Sequence, residues 1–295
     1  MTDFTTPFRY RGSDGQALAG YRWSAGSAQP RAVLQLAHGA GEHAGRYRAV
    51  LQPLLDAGYV IYAADHRGHG LTSGISGLGD FGPGGAPACV DDMATLARLA
   101  LEENPGLPLV LMGHSMGAMF AQSFILDHSN LIDALVLSGT AAPGPRMPGG
   151  PNSVYKTPRT DYDWLSRAPA EVDTYIADPF CGIQFDADSA ASFAALRERP
   201  ASPDALAAVK PGLPIYIFVG DEDPINHRLE RIHPLVANYR AANLPVDLKV
   251  YAGGRHEMLN ETNRDEVVAD LLAWLDTTVD RLEASGLGIG RPDLV

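Results

Sequence analysis

The chain has 295 residues, 45% of them hydrophobic and 20% charged, the make-up of a folded globular protein rather than a disordered one. Lysine and arginine number 23 against 35 aspartates and glutamates, and the resulting net charge of −12 disfavours nucleic acid and anionic lipid as partners. Two cysteines, Cys89 and Cys181, are too few for a disulfide framework, and no apolar run reaches the ~18–20 residues of a membrane span. The amino terminus carries neither the basic patch nor the apolar stretch of a signal peptide, so a cytoplasmic protein without stable membrane insertion is expected.

Short apolar runs recur at 33–37, 59–63, 109–112, 134–137, 215–219 and 246–250, most of them without alternation. Strands of that kind are covered on both faces, as in a parallel sheet. Helical spacing lies between them. Met93, Leu96, Ala97 and Ala100 share one stripe of a helix near 87–103, stopped by Asn104-Pro105-Gly106. A helical run covers 118–127, and Val267, Val268, Leu271, Leu272 and Leu275 form a stripe near the carboxyl terminus. Strands alternating with helices predict an α/β protein with a doubly wound, mostly parallel sheet. Residues 141–211 break the alternation with ten prolines, which deny ladder hydrogen bonds and interrupt helices, and with enough aromatic residues to bury something. That stretch is expected to be an inserted lid over a core formed by residues 1–140 and 212–295. The glycine-rich end, 286–295, is expected to be loosely held.

Gly113-His114-Ser115-Met116-Gly117 fits Gly-x-Ser-x-Gly, and it stands between a predicted strand and a predicted helix. In such an elbow the serine takes strained backbone angles, so its neighbours two residues away on either side must be small. The following amide, that of Met116, then sits at a helix amino terminus, where it can stabilise an oxyanion. A serine hydroxyl needs a base, and the base an acid, in the chain order Ser, Asp/Glu, His. Of the downstream histidines, His128 ends the helix that starts at the serine, and His227 and His233 suit an exposed loop or helix start. His256 leaves the end of a predicted strand in Gly253-Gly254-Arg255-His256, the sheet edge where doubly wound folds place their sites. The acid belongs to the preceding strand's end, where Asp221, Glu222 and Asp223 all qualify. Asp221 falls in the turn itself, whereas Pro224 holds Asp223 in extended conformation. The glycines of His38-Gly39-Ala40-Gly41-Glu42-His43 suit a loop that turns its amides inward as a second oxyanion donor.

Together, these segments resemble the α/β-hydrolase superfamily, in particular its branch of monoacylglycerol lipase- and lysophospholipase-like serine hydrolases. The matching residues are His38–His43 with Arg46-Tyr47, Asp65-His66-Arg67-Gly68-His69-Gly70, 113–117, Gly220-x-x-Asp223 and Gly254-x-His256. The resemblance implies Ser115 as nucleophile, His256 as base, Asp223 as acid and the amides of Ala40 and Met116 as oxyanion hole. It also implies cofactor-free hydrolysis of a small acyl ester through an acyl-enzyme.

Rival readings are weaker. Gly39-Ala40-Gly41-Glu42-His43-Ala44, with Asp65 at the end of the next strand, approaches a dinucleotide-binding fingerprint, but leaves the elbow and His256 without a role. His66-x-x-His69 lacks a third ligand at helical spacing, and neither cysteine has a partner two residues away, so no metal is expected. A binding protein on a hydrolase fold would be expected to have lost part of the catalytic set. Among hydrolases, a thioesterase or general carboxylesterase remains an alternative. An aminopeptidase would show a Gly-Gly-Pro-Gly-like oxyanion loop in place of His38-Gly39-Ala40-Gly41.

Overall fold

The computed structural model describes residues 7–26, 29–144, 147–201 and 203–285. The expectation for 286–295 lies outside the described residues. Strands β1 (Phe8–Arg11), β2 (Ala17–Trp23), β3 (Ala32–Ala37), β4 (Tyr59–Ala64), β5 (Leu109–His114), β6 (Ala134–Ser138), β7 (Ile215–Gly220) and β8 (Val246–Tyr251) form one sheet, ordered β1-β2-β4-β3-β5-β6-β7-β8. From β4 to β8 every neighbouring pair is parallel. All six predicted strands are present. The antiparallel pair β1 and β2 at one edge was not foreseen, because its mixed sequences, Phe-Arg-Tyr-Arg in β1, lack the unbroken apolar runs of strands buried on both faces.

Helices α1 (Gln52–Asp56), α2 (Gly70–Ser73), α3 (Gly85–Glu103), α4 (Met116–His128), α5 (Pro169–Ala177), α6 (Ala187–Arg197), α7 (Pro203–Ala207), α8 (Ile232–Ala241) and α9 (Arg264–Ala284) complete the fold. Strands β3 to β7 are buried along their whole length. Alternate side chains feed two separate cores, as period-two geometry requires. Val33, Leu109 and Leu111 face α3, α4 and α8, while Leu34, Val110 and Met112 face α1 and α9. Helix α4 is apolar nearly all round because α3 and α6 cover the sides that the sheet leaves.

Residues 141–211 leave the end of β6 and return at β7, carrying α5, α6 and α7. Contrary to the expectation that its prolines interrupt helices, Pro169 and Pro203 open α5 and α7. At that position the missing N–H costs nothing, since the first amides of a helix have no internal partner. No described helix is long and apolar enough to cross a membrane.

The chain turns to β4 on one side of β3 and to β5 on the other, so the loops after β3 and β5 diverge and open a crevice at the carboxyl edge. The segments His38–His43 and Ser115 begin there.

Candidate active site

Ser115 joins β5 to α4 with φ 52° and ψ −115°, a strained conformation for a residue with a side chain. The surroundings enforce it. A Cβ at Gly113 would run into the Gly117 carbonyl, and one at Gly117 would run into the Ala37 carbonyl, so the turn closes only with glycine at both places. The Ser115 amide donates to Ser138 O at 2.9 Å, tying the elbow to β6. Met116 is the first residue of α4, so its amide has no acceptor within the helix.

The Ser115 hydroxyl lies 2.8 Å from His256 Nε2, and His256 Nδ1 lies 3.0 Å from Asp223 Oδ2. With its hydrogen on Nδ1, donated to the carboxylate, the imidazole presents a lone pair to the serine. His256 and Asp223 are 1% and 0% exposed, so water does not compete for these bonds. The other Asp223 oxygen accepts the Ile225 amide at 2.8 Å just past Pro224. The neighbouring carboxylates go elsewhere: Asp221 accepts the Gly253 amide at 2.6 Å, and Glu222 pairs at the surface with Arg228 at 3.0 Å.

The rings of Trp164 and His114 each lie 4.9 Å from that of His256. Gly139, with φ +54°, gives the histidine room, since a Cβ there would sit 2.8 Å from His114 and 2.9 Å from His256. Burial pushes the His256 imidazole toward the neutral form, but the Asp223 carboxylate outweighs it and raises the pKa above the ordinary value. His114 has no such partner, and burial pushes it down to about 4.

The loop after β3 is fastened on both sides of Ala40. Gly39 N donates to Glu42 Oε1 at 2.5 Å, and Gly41 N donates to His69 Nε2 at 3.2 Å. Ala40 itself is exposed and lines the same cavity as Ser115 and Met116. His38 and His69 are held as neutral acceptors, burial pushing them down to about 4 and about 3. His38 Nε2 accepts the His66 amide at 3.0 Å, while His69 Nδ1 lies 2.9 Å from Arg67 O.

Sequence reasoning missed one partner. The Arg46 guanidinium contacts Glu257 twice at 2.8 Å and Glu42 at 2.5 Å, bridging the loop after β3 to the residue that follows His256. Glu42 and Arg46 stood within the motif of the resemblance; nothing near Glu257 in the sequence signals its pairing.

Asp65, the acid of the dinucleotide reading, is 1% exposed and accepts from Tyr21 Oη, Ala44 N and Leu71 N. Its oxygens serve the fold and offer no ribose site, which overturns that rival.

The site opens on a cavity of about 550 Å³. Met119 from α4 and Trp164, Ile183, Phe185 and Phe193 from residues 141–211 give it a largely apolar lining.

A family model described as serine aminopeptidase, S33, matches residues 28–263. The chain belongs to this α/β-hydrolase family. It is a serine ester hydrolase with kinship to the monoacylglycerol lipase-like branch. The monoacylglycerol lipase of Mycolicibacterium smegmatis is 33% identical over 272 residues, covering 83% of this chain and 88% of that one. The monoglyceride lipase of Homo sapiens is 30% identical over 57% of each chain. Among solved structures, a thermostable carboxyl esterase from Bacillus coagulans in complex with glycerol superposes with a TM-score of 0.87 at 27% identity, covering 93% of this hydrolase and 98% of that chain. A monoglyceride lipase from Saccharomyces cerevisiae shares the fold, with a TM-score of 0.77 at 22% identity over 94% and 97%.

Proposed function

We propose that this hydrolase cleaves monoacylglycerols or related short- and medium-chain acyl esters through an acyl-enzyme on Ser115. The unbroken hydrogen-bonded series Asp223–His256–Ser115 at the floor of the cavity carries this reading. In the first half-reaction Ser115 Oγ attacks the ester carbonyl carbon as His256 Nε2 takes the hydroxyl proton. The amides of Ala40 and Met116 receive the developing oxyanion. Collapse expels the alcohol, which leaves with the proton held by His256. In the second half-reaction water, deprotonated by His256, attacks the acyl-enzyme, and Ser115 leaves with the proton. Asp223 keeps the imidazole in the required tautomer and stabilises its cation throughout.

Residues 141–211 act as the lid. Their aromatic side chains line the cavity, and a cavity of this size sits in the middle of the range for small-molecule sites, ~300–1,000 Å³. A modest apolar space supports a preference for short and medium acyl chains. The names of the relatives support the glycerol ester as substrate. The likeness to a carboxyl esterase supports a broader carboxylesterase as the second reading.

The test combines a fluorophosphonate probe with a series of monoesters. Ser115 alone should carry the adduct, Ser115→Ala should lose on the order of 10⁴-fold or more in activity, and kcat/KM should be higher on a C8 than on a C16 monoacylglycerol. An adduct on another residue would sink the nucleophile assignment, and a preference for C16 would sink the lid's role in chain length.

A further inference from the structure

We propose that His43, Asp178 and Cys181 form a binding site for a borderline divalent cation of the zinc type, which on binding joins the loop after β3 to residues 141–211. His43 Nε2 lies 2.9 Å from Asp178 Oδ2, and one donor atom from each of the three residues lies within 4.8 Å of the other two. All three side chains are half-buried. His43 ends the loop that holds Ala40, whereas Asp178 and Cys181 follow α5, so the donors come from two segments far apart in sequence. The spacing rule for metal-binding cysteines therefore had nothing to detect around Cys181.

The donor set decides which ion fits. Magnesium and calcium take oxygen ligands, while a mixed nitrogen, oxygen and sulfur set suits zinc or cobalt. Zinc sits ~2.0–2.2 Å from nitrogen and oxygen and ~2.3 Å from sulfur, so its donors stand about 3.2–3.8 Å apart. His43 and Asp178, 2.9 Å apart, must open slightly to admit the ion, a movement within reach of half-buried side chains. A water completes the tetrahedron.

The surroundings are prepared for an ion. Asp178 Oδ1 accepts the Phe180 amide at 2.8 Å, which orients the carboxylate and directs Oδ2 toward His43. Gly182 N donates to Gly41 O at 2.9 Å, so the two segments already meet beside the site without an ion. The Cys181 amide donates to Asp178 O at 3.0 Å, a turn that brings the sulfur to the same side as the carboxylate. On binding, the thiol releases its proton to solvent, and the hydrogen that His43 Nε2 donates to Asp178 without the ion gives way to one on Nδ1, which leaves the Nε2 lone pair for the metal. The thiolate and the carboxylate then balance the two charges of the ion.

The site is read without reference to catalysis. The full chain, freed of metal with a chelator, is titrated with Co²⁺ and then with Zn²⁺. One Co²⁺ per chain should bind with a near-ultraviolet sulfur-to-cobalt charge-transfer band, and Zn²⁺ should displace it and raise the melting temperature. Cys181→Ser should abolish the band and weaken zinc binding about tenfold or more, while Asp178→Asn should keep the band and weaken binding similarly. Melting temperatures of the metal-free variants equal to that of the parent establish that both are folded. A band that survives in Cys181→Ser belongs to Cys89 and overturns the assignment, as does equal zinc affinity in the parent and both variants.

Discussion

Asp221 and Asp223 leave the same strand two residues apart, and their environments give them different work. Asp221 receives a backbone amide from the loop after β8, whereas Asp223 faces an imidazole buried as deeply as itself. Asp223→Asn should keep the fold yet cost roughly 10³–10⁴ in kcat, because the amide stabilises the wrong tautomer of His256. Asp221→Ala should leave kcat near that of the parent and lower stability by about 1–2 kcal/mol, for want of an acceptor to Gly253. Steady-state kinetics and urea unfolding of the two variants check the division, and a reversal of the two phenotypes would make Asp221 the acid. The sign of the His256 shift fixes the pH profile. Its pKa lies above the ordinary histidine value, ~6.5, and only the neutral ring can accept the serine proton. Thus kcat/KM should climb with pH along a single limb centred above about 6.5 and then level off. A flat profile from pH 5 to 9 would remove histidine from the role.

Elements differed in how openly the sequence displayed them. The elbow was legible because its chemistry is local: two glycines, a serine, a strand before and a helix after. The six buried strands were legible for the same reason. Strands β1 and β2 were not, since an antiparallel edge pair carries arginines and tyrosines whose partners lie on another strand. Nor was the Arg46 bridge, in which a charge at the start of the fold meets Glu257, 211 positions away, with no periodicity to announce it. That bridge ties two loops together at the site. Burial pushes the Glu42 carboxyl up, but Arg46 outweighs it and holds it down at about 2. The same guanidinium holds Glu257 below its usual range. Arg46→Ala would strand two buried carboxylates and should cost about 3–5 kcal/mol, lowering the melting temperature by about 10 °C. Calorimetry reads this directly, and a shift within about 2 °C of the parent would mean that the bridge is dispensable.

Across the whole molecule, four histidines are buried and neutral: His38, His66, His69 and His114, each with its pKa depressed chiefly by burial. The unfolded chain binds a proton at each of them below about pH 6.5, whereas the folded chain does not until the pH is much lower. Stability should therefore fall as pH drops from 7 to 5, by about 1.4 kcal/mol per pH unit for each net proton. His256, shifted the other way, opposes the fall only above about pH 6.5, because below it both folded and unfolded chains carry its proton. A urea midpoint unchanged over that range would contradict the burial of these rings. The sequence displayed the histidines as motif members, but not that three of them would cluster, tilted and edge-on, with His38 at the centre, because that cluster exists only once β3 and β4 lie side by side. The sheet, meanwhile, ends in β1 on one side and β8 on the other, each with a row of backbone groups turned outward. Arg9 and Arg11 stand exposed along β1. On β8, Lys249 is held by Asp270 at 2.8 Å and Asp247 by the Trp274 indole at 2.7 Å. A foreign strand that docks on either margin must lie against fixed charge, so these margins make poor templates for aggregation, and the protein can be crowded without one copy lengthening the sheet of another.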